Sequence, residues 1–320
     1  MTALVKTANL KKYFETSHGT LHAVEDVDLE IDYGRTLGVV GESGCGKTTL
    51  GRTVVGLTAA TSGQVLFEGQ DISDCTKKQL RSLRKDMQII FQDPYSSLDP
   101  RMTVSEIIEE PLRIHSMCKN IKESSERVLQ LMDTVGLSPR LMNSYPHELD
   151  GGRRQRVGIA RALAVNPKFI VCDEPVSSLD VSIQAQILNL MMDLQEQLQI
   201  AYMFITHDLS VSKHISDQVA VMYIGRIVEK ASSNELFANP SHPYTKALLG
   251  AIPIPSLKHR HKKRQVLGGE VTSPINPGEG CRFRPRCLQA LPECLDAEPE
   301  LREISKGHFV ACHLLGLEQR

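Results

Sequence analysis

Apolar positions along the chain change their period several times, and each change marks an element. Polar and apolar residues alternate in Leu4-Val5-Lys6-Thr7 and again from Val27 to Ile31, the two-residue period of half-buried strands. Leu37-Gly38-Val39-Val40 is a short unbroken apolar run, as expected of a strand covered on both faces. Gln64 to Phe67 runs into the turn pair Glu68-Gly69, and Met87 to Phe91 is stopped by Asp93-Pro94, so both read as strands. From Val104 to Arg140 the spacing becomes helical, through Ile107, Ile108 and Leu112 and then Val128, Leu129 and Met132. Phe169 to Cys172 and Tyr202 to Ile205 are buried-strand runs again, with a long helix predicted between them over Val181 to Gln199. This order predicts an α/β fold around a parallel sheet with right-handed crossovers. An antiparallel β subdomain precedes the sheet, and a helical insert over 95–155 interrupts it. The main domain is expected over 1–232 and a smaller extension over 233–320. Within that extension the basic run His259 to Arg264 reads as a solvated linker face.

Composition narrows the class. A chain of 320 residues has room for one large domain plus an appendage. A formal net charge of −1 gives no electrostatic case for nucleic acid as the main partner. No apolar run approaches the roughly 18 residues that span a bilayer, and Met1 to Phe14 lacks the sustained apolar core of a secretory signal. The expected setting is therefore cytosolic, with membrane contact made through partners. Of eight cysteines, Cys45, Cys75, Cys118 and Cys172 are scattered and read as inert thiols, whereas Cys281, Cys287, Cys294 and Cys312 crowd the last forty residues.

The chemistry begins at Gly41-Glu42-Ser43-Gly44-Cys45-Gly46-Lys47-Thr48-Thr49, a phosphate-binding P-loop. Closely spaced phosphate oxygens need many donors, and the glycines let the backbone wrap near enough to aim its N–H groups at them. Lys47 can reach the β- and γ-phosphates and Thr48 can offer a hydroxyl to Mg²⁺. A helix starting near Gly46 adds its positive end. A second motif follows in Phe169-Ile170-Val171-Cys172-Asp173-Glu174, an apolar strand that ends in two carboxylates. Asp173 suits the Mg²⁺ shell, and Glu174 can polarise water for in-line attack on the γ-phosphate. Gln92 directly follows one strand and His207 another. At strand ends of one parallel sheet they share its ligand-binding rim, where Gln92 can touch Mg²⁺ or the water and a neutral His207 can contact the γ-phosphate.

One further run, Leu149-Asp150-Gly151-Gly152-Arg153-Arg154-Gln155-Arg156, completes a pattern. Together with the P-loop, Gln92, Asp173-Glu174, Ser178-Leu179-Asp180 and His207, it resembles the ATP-binding subunit of an ABC transporter. The resemblance covers residues 1 to about 230 and implies a P-loop NTPase fold with a RecA-like sheet. It also implies a head-to-tail dimer in which each signature segment, here Leu149 to Arg153, closes over the other subunit's P-loop. By motif position Ser178-Leu179-Asp180 matches the D-loop, and Phe14, with Tyr13 as the alternative, falls where the family stacks a ring on adenine. Asp150 departs from the pattern, because the family's usual serine there donates a hydroxyl to the opposing γ-phosphate. A carboxylate only accepts, and two like charges about 4 Å apart repel by about 4 kcal/mol at an effective dielectric near 20. Asp150 is also a good cap for the helix that follows, and Arg153 partly offsets its charge. The pattern therefore implies a heterodimer, with a second ATPase subunit that keeps the serine.

Pro240-Ser241-His242-Pro243-Tyr244-Thr245-Lys246-Ala247-Leu248-Leu249 and Gly280 to Cys287 resemble the extension of the oligopeptide/dipeptide and nickel branch of ABC importers. That branch implies uptake of short peptides, two membrane permease subunits, an extracytoplasmic substrate-binding protein and a peripheral site on the cytoplasmic face of the cell membrane. A nickel or other small-solute importer of the same branch is the alternative. A soluble ABC ATPase typically carries two ATPase halves or a long coiled-coil insertion, and neither is present. The spacing C-x5-C-x6-C-x17-C lacks the tight pairs of zinc ribbons. It suits a [4Fe–4S] cluster, as the branch also implies, with zinc or no metal as alternatives. Arg282, Arg284 and Arg286 alternate around the first two cysteines and read either as counter-charges to such a cluster or as a solvated basic segment.

Overall fold

The computed structural model describes residues 3–73, 75–252 and 272–316, so the basic run at 259–264 lies outside the described residues. The chain opens with β1 (Val5–Thr16), β2 (Gly19–Val27) and β3 (Glu30–Ile31), and then enters the main sheet through β4 (Thr36–Val40). After α1 (Lys47–Val54), β5 (Ser62–Phe67) and β6 (Gln70–Asp71) return to the first sheet, whose order is β2-β1-β5-β6 with β3 paired to β1. The alternation expected from Val27 to Ile31 holds in burial, with Val27, Leu29 and Ile31 buried and Asp28 and Glu30 exposed, but the strand itself is interrupted. Asp26 takes a left-handed φ of 47°, and strand pairing resumes only at Glu30.

The second crossover begins with α2 (Lys77–Asp86), capped by Thr76 and Gln79 in reciprocal hydrogen bonds, and leads to β7 (Met87–Ile90). The helical insert contains α3 (Pro94–Ser97), α4 (Val104–Ile114), α5 (Ile121–Thr134) and α6 (Gly151–Leu163). One helical stretch was expected from 104 to 140, and the chain breaks it twice. Ser116 and Gly136 adopt left-handed φ values of 51° and 70°, and Asn120 starts α5 by accepting from the N–H of Glu123 at 2.9 Å.

Three more elements complete the core: β8 (Phe169–Asp173), α7 (Val181–Leu198) and β9 (Ala201–Thr206). They lead through α8 (Leu209–Ile215) to β10 (Gln218–Tyr223) and β11 (Arg226–Ser232). Strands β10, β4, β9, β8 and β7 are parallel neighbours in that order. The residues of β8 and β9 are buried on both faces, which explains their unbroken apolar sequences. One apolar core fills the space between the two sheets around Leu50, Phe67, Phe169 and Met203, and another lies beneath the helical insert around Ile108, Met132 and Phe204.

The C-terminal extension is stitched into this frame. After α9 (Ser233–Ala238) and α10 (Pro243–Ala251) come α11 (Glu293–Asp296), β12 (Arg302–Ser305) and β13 (His308–Val310). Strand β13 pairs antiparallel with β11, so the main sheet gains an antiparallel edge, β12-β13-β11-β10, beyond its parallel part. A third core, centred on Tyr223, Tyr244 and Phe283, joins the extension to the sheet. Buried Glu229 ties these pieces together. Its carboxylate accepts from the N–H groups of Ser241 at 2.7 Å and His242 at 3.0 Å, and lies 2.8 Å from His308 Nε2.

Candidate active site

The carboxyl ends of β4, β9, β8 and β7 lie side by side, and each delivers one part of the site. The P-loop leaves β4 and turns into α1 at Gly46, whose φ of 108° suits glycine. A Cβ at Gly46 would collide with the carbonyl oxygen of Ala23, and one at Gly41 with that of Met222. The loop is therefore wedged between β2 and β10 and has no room for side chains at these points. Lys47 is buried and donates from Nζ to the carbonyl oxygens of Gly41 and Glu42, both at 2.9 Å. Thr48 Oγ1 donates to Asp173 Oδ1 at 2.8 Å. Burial pushes the Asp173 carboxyl above the usual aspartate range, opposed by the Thr48 hydrogen bond.

Glu174 sits at the centre of the rim. Its φ of 47° is unusual for a non-glycine residue. Its N–H donates to Ile205 O at 3.0 Å, which locks it against β9. Gln92 Nε2 donates to Glu174 Oε2 at 3.1 Å, and His207 Nδ1 lies 3.1 Å from the same oxygen. Three residues from three strand ends thus meet at one carboxylate. Because that carboxylate accepts, His207 carries its proton on Nδ1 in this arrangement.

These groups line one cavity of about 440 Å³ with Ser43, Gly44, Gly46, Lys47, Thr48 and Thr49 on its floor and Gln92, Glu174 and His207 along one side. Leu21, Ala23 and Pro274 also line it. Neither Tyr13 nor Phe14 is among its lining residues. Tyr13 is committed elsewhere: its hydroxyl donates to Glu25 at 2.6 Å and its ring stacks on His22 with centroids 4.2 Å apart. Phe14 lies opposite Leu21 in the β1–β2 pair, partly exposed and with the Lys12 ammonium over its ring. Its cross-strand partner Leu21 is among the cavity's lining residues. Pro274 and Leu21 are lining residues that local pattern did not reveal.

The signature segment starts α6 well away from this cavity. Asp150 caps the helix, accepting from the N–H of Arg153 at 2.8 Å, while Arg153 Nε lies 3.4 Å from its other carboxylate oxygen. Leu149 is buried and its carbonyl accepts from Arg154, whose guanidinium stacks over the Tyr95 ring just after Gln92. A Cβ at Gly151 would press on Leu179 and one at Gly152 on Ile183, so the two glycines let the signature helix approach the D-loop closely. Ser178 and Leu179 lead into Asp180, which caps α7 by accepting from the N–H groups of Ser182 and Ile183.

The four C-terminal cysteines carry free thiols. Cys281 donates its N–H to Cys294 O at 2.9 Å. Burial raises the Cys281 thiol to about 12 and raises Cys287 and Cys312, with the neighbouring cysteines contributing to each. Among the described residues, however, no three Cys, His, Asp or Glu side chains are grouped to hold a metal ion. The expected counter-charge role of the arginines also changes. Arg282 bonds Ile224 O, Glu25 and Glu298, and Arg286 forks onto Glu42, so both are buried struts rather than a charge screen or a solvated segment.

Fold and rim together define an ATP-binding cassette ATPase. The "ABC transporter" family model matches residues 24–177, and "Oligopeptide/dipeptide transporter, C-terminal region" matches residues 228–294. Oligopeptide transport ATP-binding protein AppF of Bacillus subtilis (strain 168) is 50% identical, with 97% of each chain covered. Oligopeptide transport ATP-binding protein OppF of Salmonella typhimurium is 51% identical, covering 97% of this chain and 95% of its own. A dimeric post-hydrolysis state of the ATP-binding cassette MJ0796 bound to ADP and Pi superposes with a TM-score of 0.67 at 29% identity, over 72% of this chain and 98% of that one. The chain belongs to the ABC transporter ATP-binding family, and it carries that family's oligopeptide/dipeptide C-terminal region. No helix among the described residues is long and apolar enough to cross a membrane.

Proposed function

We propose that this chain is the ATP-hydrolysing subunit of an importer for short peptides, working at the cytoplasmic face of the membrane with two permease subunits and an extracytoplasmic binding protein. The observation that carries the catalytic reading is the meeting of Gln92, Glu174 and His207 beside the P-loop cavity. The loop N–H groups and Lys47 hold the phosphates. Thr48, Asp173 and Gln92 offer the oxygen ligands that suit Mg²⁺, which when bound neutralises phosphate charge. Glu174 Oε2 takes the bonds from Gln92 and His207, so Oε1 is left to accept from the attacking water. As the water oxygen bonds to the γ-phosphorus and the bridge to the β-phosphate breaks, Glu174 takes up the water's proton. Glu174→Gln in the assembled transporter is expected to keep ATP binding and to lower turnover at least a hundredfold. Undiminished turnover would remove Glu174 from this role.

The peptide substrate rests on the relatives, which are oligopeptide transport proteins by name. Asp150 supports pairing with a different ATPase subunit. Its carboxylate, already engaged as a cap, brings like charge toward a facing γ-phosphate. The four thiols support a [4Fe–4S] site in preference to zinc. The reading rests on their spacing, C-x5-C-x6-C-x17-C, which lacks the tight pairs of zinc ribbons, while among the described residues no three such side chains are grouped to hold a metal ion. Anaerobically purified protein is expected to be brown with about four irons per chain; colourless protein with one zinc would decide for the alternative.

A further inference from the structure

We propose that Arg286 and Tyr244, both in the C-terminal extension, are positioning residues for the P-loop, so that the extension forms part of the nucleotide site. The two converge on Glu42, the second residue of the loop. Arg286 donates from Nη1 to Glu42 Oε2 at 2.6 Å and from Nη2 to Oε1 at 2.9 Å, a fork-to-fork pair across 244 residues. The Arg286 side chain is 5% exposed. Tyr244 is fully buried, and its hydroxyl oxygen accepts from the N–H of Glu42 at 2.9 Å. The carbonyl of Glu42 in turn accepts from Lys47. Side chain, N–H and carbonyl of a single loop residue are thus all held, two of the three from the extension.

This arrangement serves phosphate binding in two ways. A free carboxylate at Glu42 would repel phosphate, and the buried guanidinium neutralises it through two charge-assisted hydrogen bonds. Holding the Glu42 backbone also fixes the start of the loop from which the phosphate-facing N–H groups are aimed. The supports are rigid. Tyr244 packs edge-on against Tyr223 with centroids 4.7 Å apart, and Phe283 closes the same cluster. A separate part of the extension reaches the cavity directly. Pro274 lines it, held by the His22 N–H bond to Pro274 O at 3.0 Å and by the bridge between Leu21 and Ile275.

The inference rests on the P-loop being the ATP site, so Lys47→Ala is its control. In the full chain with Mg²⁺, ATP affinity is read by displacement of a fluorescent ATP analogue, and KM and kcat are read in the assembled transporter. Arg286→Ala is expected to weaken ATP binding and raise KM at least tenfold while kcat stays within threefold. Arg286→Lys should recover part of the loss, and Tyr244→Phe should cost three- to fivefold in affinity. In a Glu42→Ala background, Arg286→Ala should cost far less than in the native chain, because its partner is already gone. If Arg286→Ala does not fold, Arg286→Lys and Tyr244→Phe are judged by the same affinity and KM. The proposal is overturned if these variants leave both within twofold while Lys47→Ala abolishes binding, or if kcat falls with KM unchanged. It also fails if Arg286→Ala costs the same with and without Glu42. Undiminished ATP binding in Lys47→Ala would instead bring down the P-loop reading itself.

Discussion

The rim of the parallel sheet and the C-terminal extension use charge in opposite ways. At the rim, Glu174 and His207 stand at strand ends beside an open cavity, and the His207 side chain is 57% exposed. Where the extension joins the sheet, Glu229 of β11 and His308 of β13 are almost completely buried against each other, and Arg282 and Arg286 of the extension are enclosed in ion pairs. Accessible polar groups held only by neighbouring side chains are free to trade those bonds for a ligand. Enclosed pairs have no such freedom, since breaking one strands a charge away from water. The first region is built to react, and the second is built to hold its shape. The Arg286–Glu42 pair is the point where the second region grips the first.

The sharpest test of the rim is whether its reactivity is shared equally by the two sites of an assembled transporter. With Asp150 in this chain's signature, the productive site should combine this chain's P-loop, Asp173, Glu174 and His207 with a partner signature that keeps serine. Lys47→Ala is expected to abolish ATPase activity of the purified complex, whereas the corresponding lysine change in the partner leaves a substantial fraction. Equal damage from the two changes would end the asymmetric reading, as would a stable, active homodimer of this chain alone. Restoring serine with Asp150→Ser should raise turnover at the second site.

The contrast between the regions also explains what could be read from sequence. Glu174 and His207 directly follow β8 and β9, and Gln92 comes two residues after the end of β7, so the strand pattern carries these functional residues with it. The ties of the extension have no such marker. Arg286 and Glu42 are 244 residues apart, and nothing local to either announces the other. Strand β12 was equally silent, because all four of its residues are exposed and leave no alternation to detect. Of the two interruptions in the helical insert, Gly136 is a familiar stop signal, whereas Ser116 is not. The adenine-side residues were narrowed to Tyr13 or Phe14 by motif position. The ties of Tyr13 to Glu25 and His22, which form only once β1 and β2 have paired, had no local marker.

If the extension is a shape-holding unit, removing the β11 carboxylate that anchors it should cost stability before it costs chemistry. Glu229→Ala leaves the N–H groups of Ser241 and His242 and the ring of His308 without their partner in a dry interior. A loss of about 3 kcal/mol is expected, seen as a lower denaturant midpoint. The loss should also appear as early hydrogen exchange in α10 and β13. Stability unchanged within about 0.5 kcal/mol, the scatter expected of a neutral surface change, would contradict the division drawn between the two regions.

The smallest effect tests the seam where the extension meets the N-terminal sheet. Burial pushes the Glu25 carboxyl upward, but hydrogen bonds from Tyr13 and His22 and the Arg282 charge outweigh it and hold the group down at about 2, below its ordinary 4.5. Lys11 also faces this carboxylate, at 3.3 Å. A depressed carboxyl stabilises the fold fully above its unfolded value, and that contribution fades as pH falls from about 4.5 toward 2. Tyr13→Phe removes one of the holding bonds while keeping the ring that stacks on His22. The variant should be about 1 kcal/mol less stable near pH 7. Its deficit should shrink as the pH is lowered through that window and Glu25 becomes protonated in the variant first. Urea unfolding of both proteins at several pH values measures the gap, and a gap that is constant with pH would show that Tyr13 acts by packing alone. ATP affinity separates the two candidate adenine rings, because only loss of a ring removes stacking: Phe14→Ala is expected to weaken ATP binding severalfold and Tyr13→Ala to leave it within twofold, and the reverse result would return Tyr13 to the adenine position.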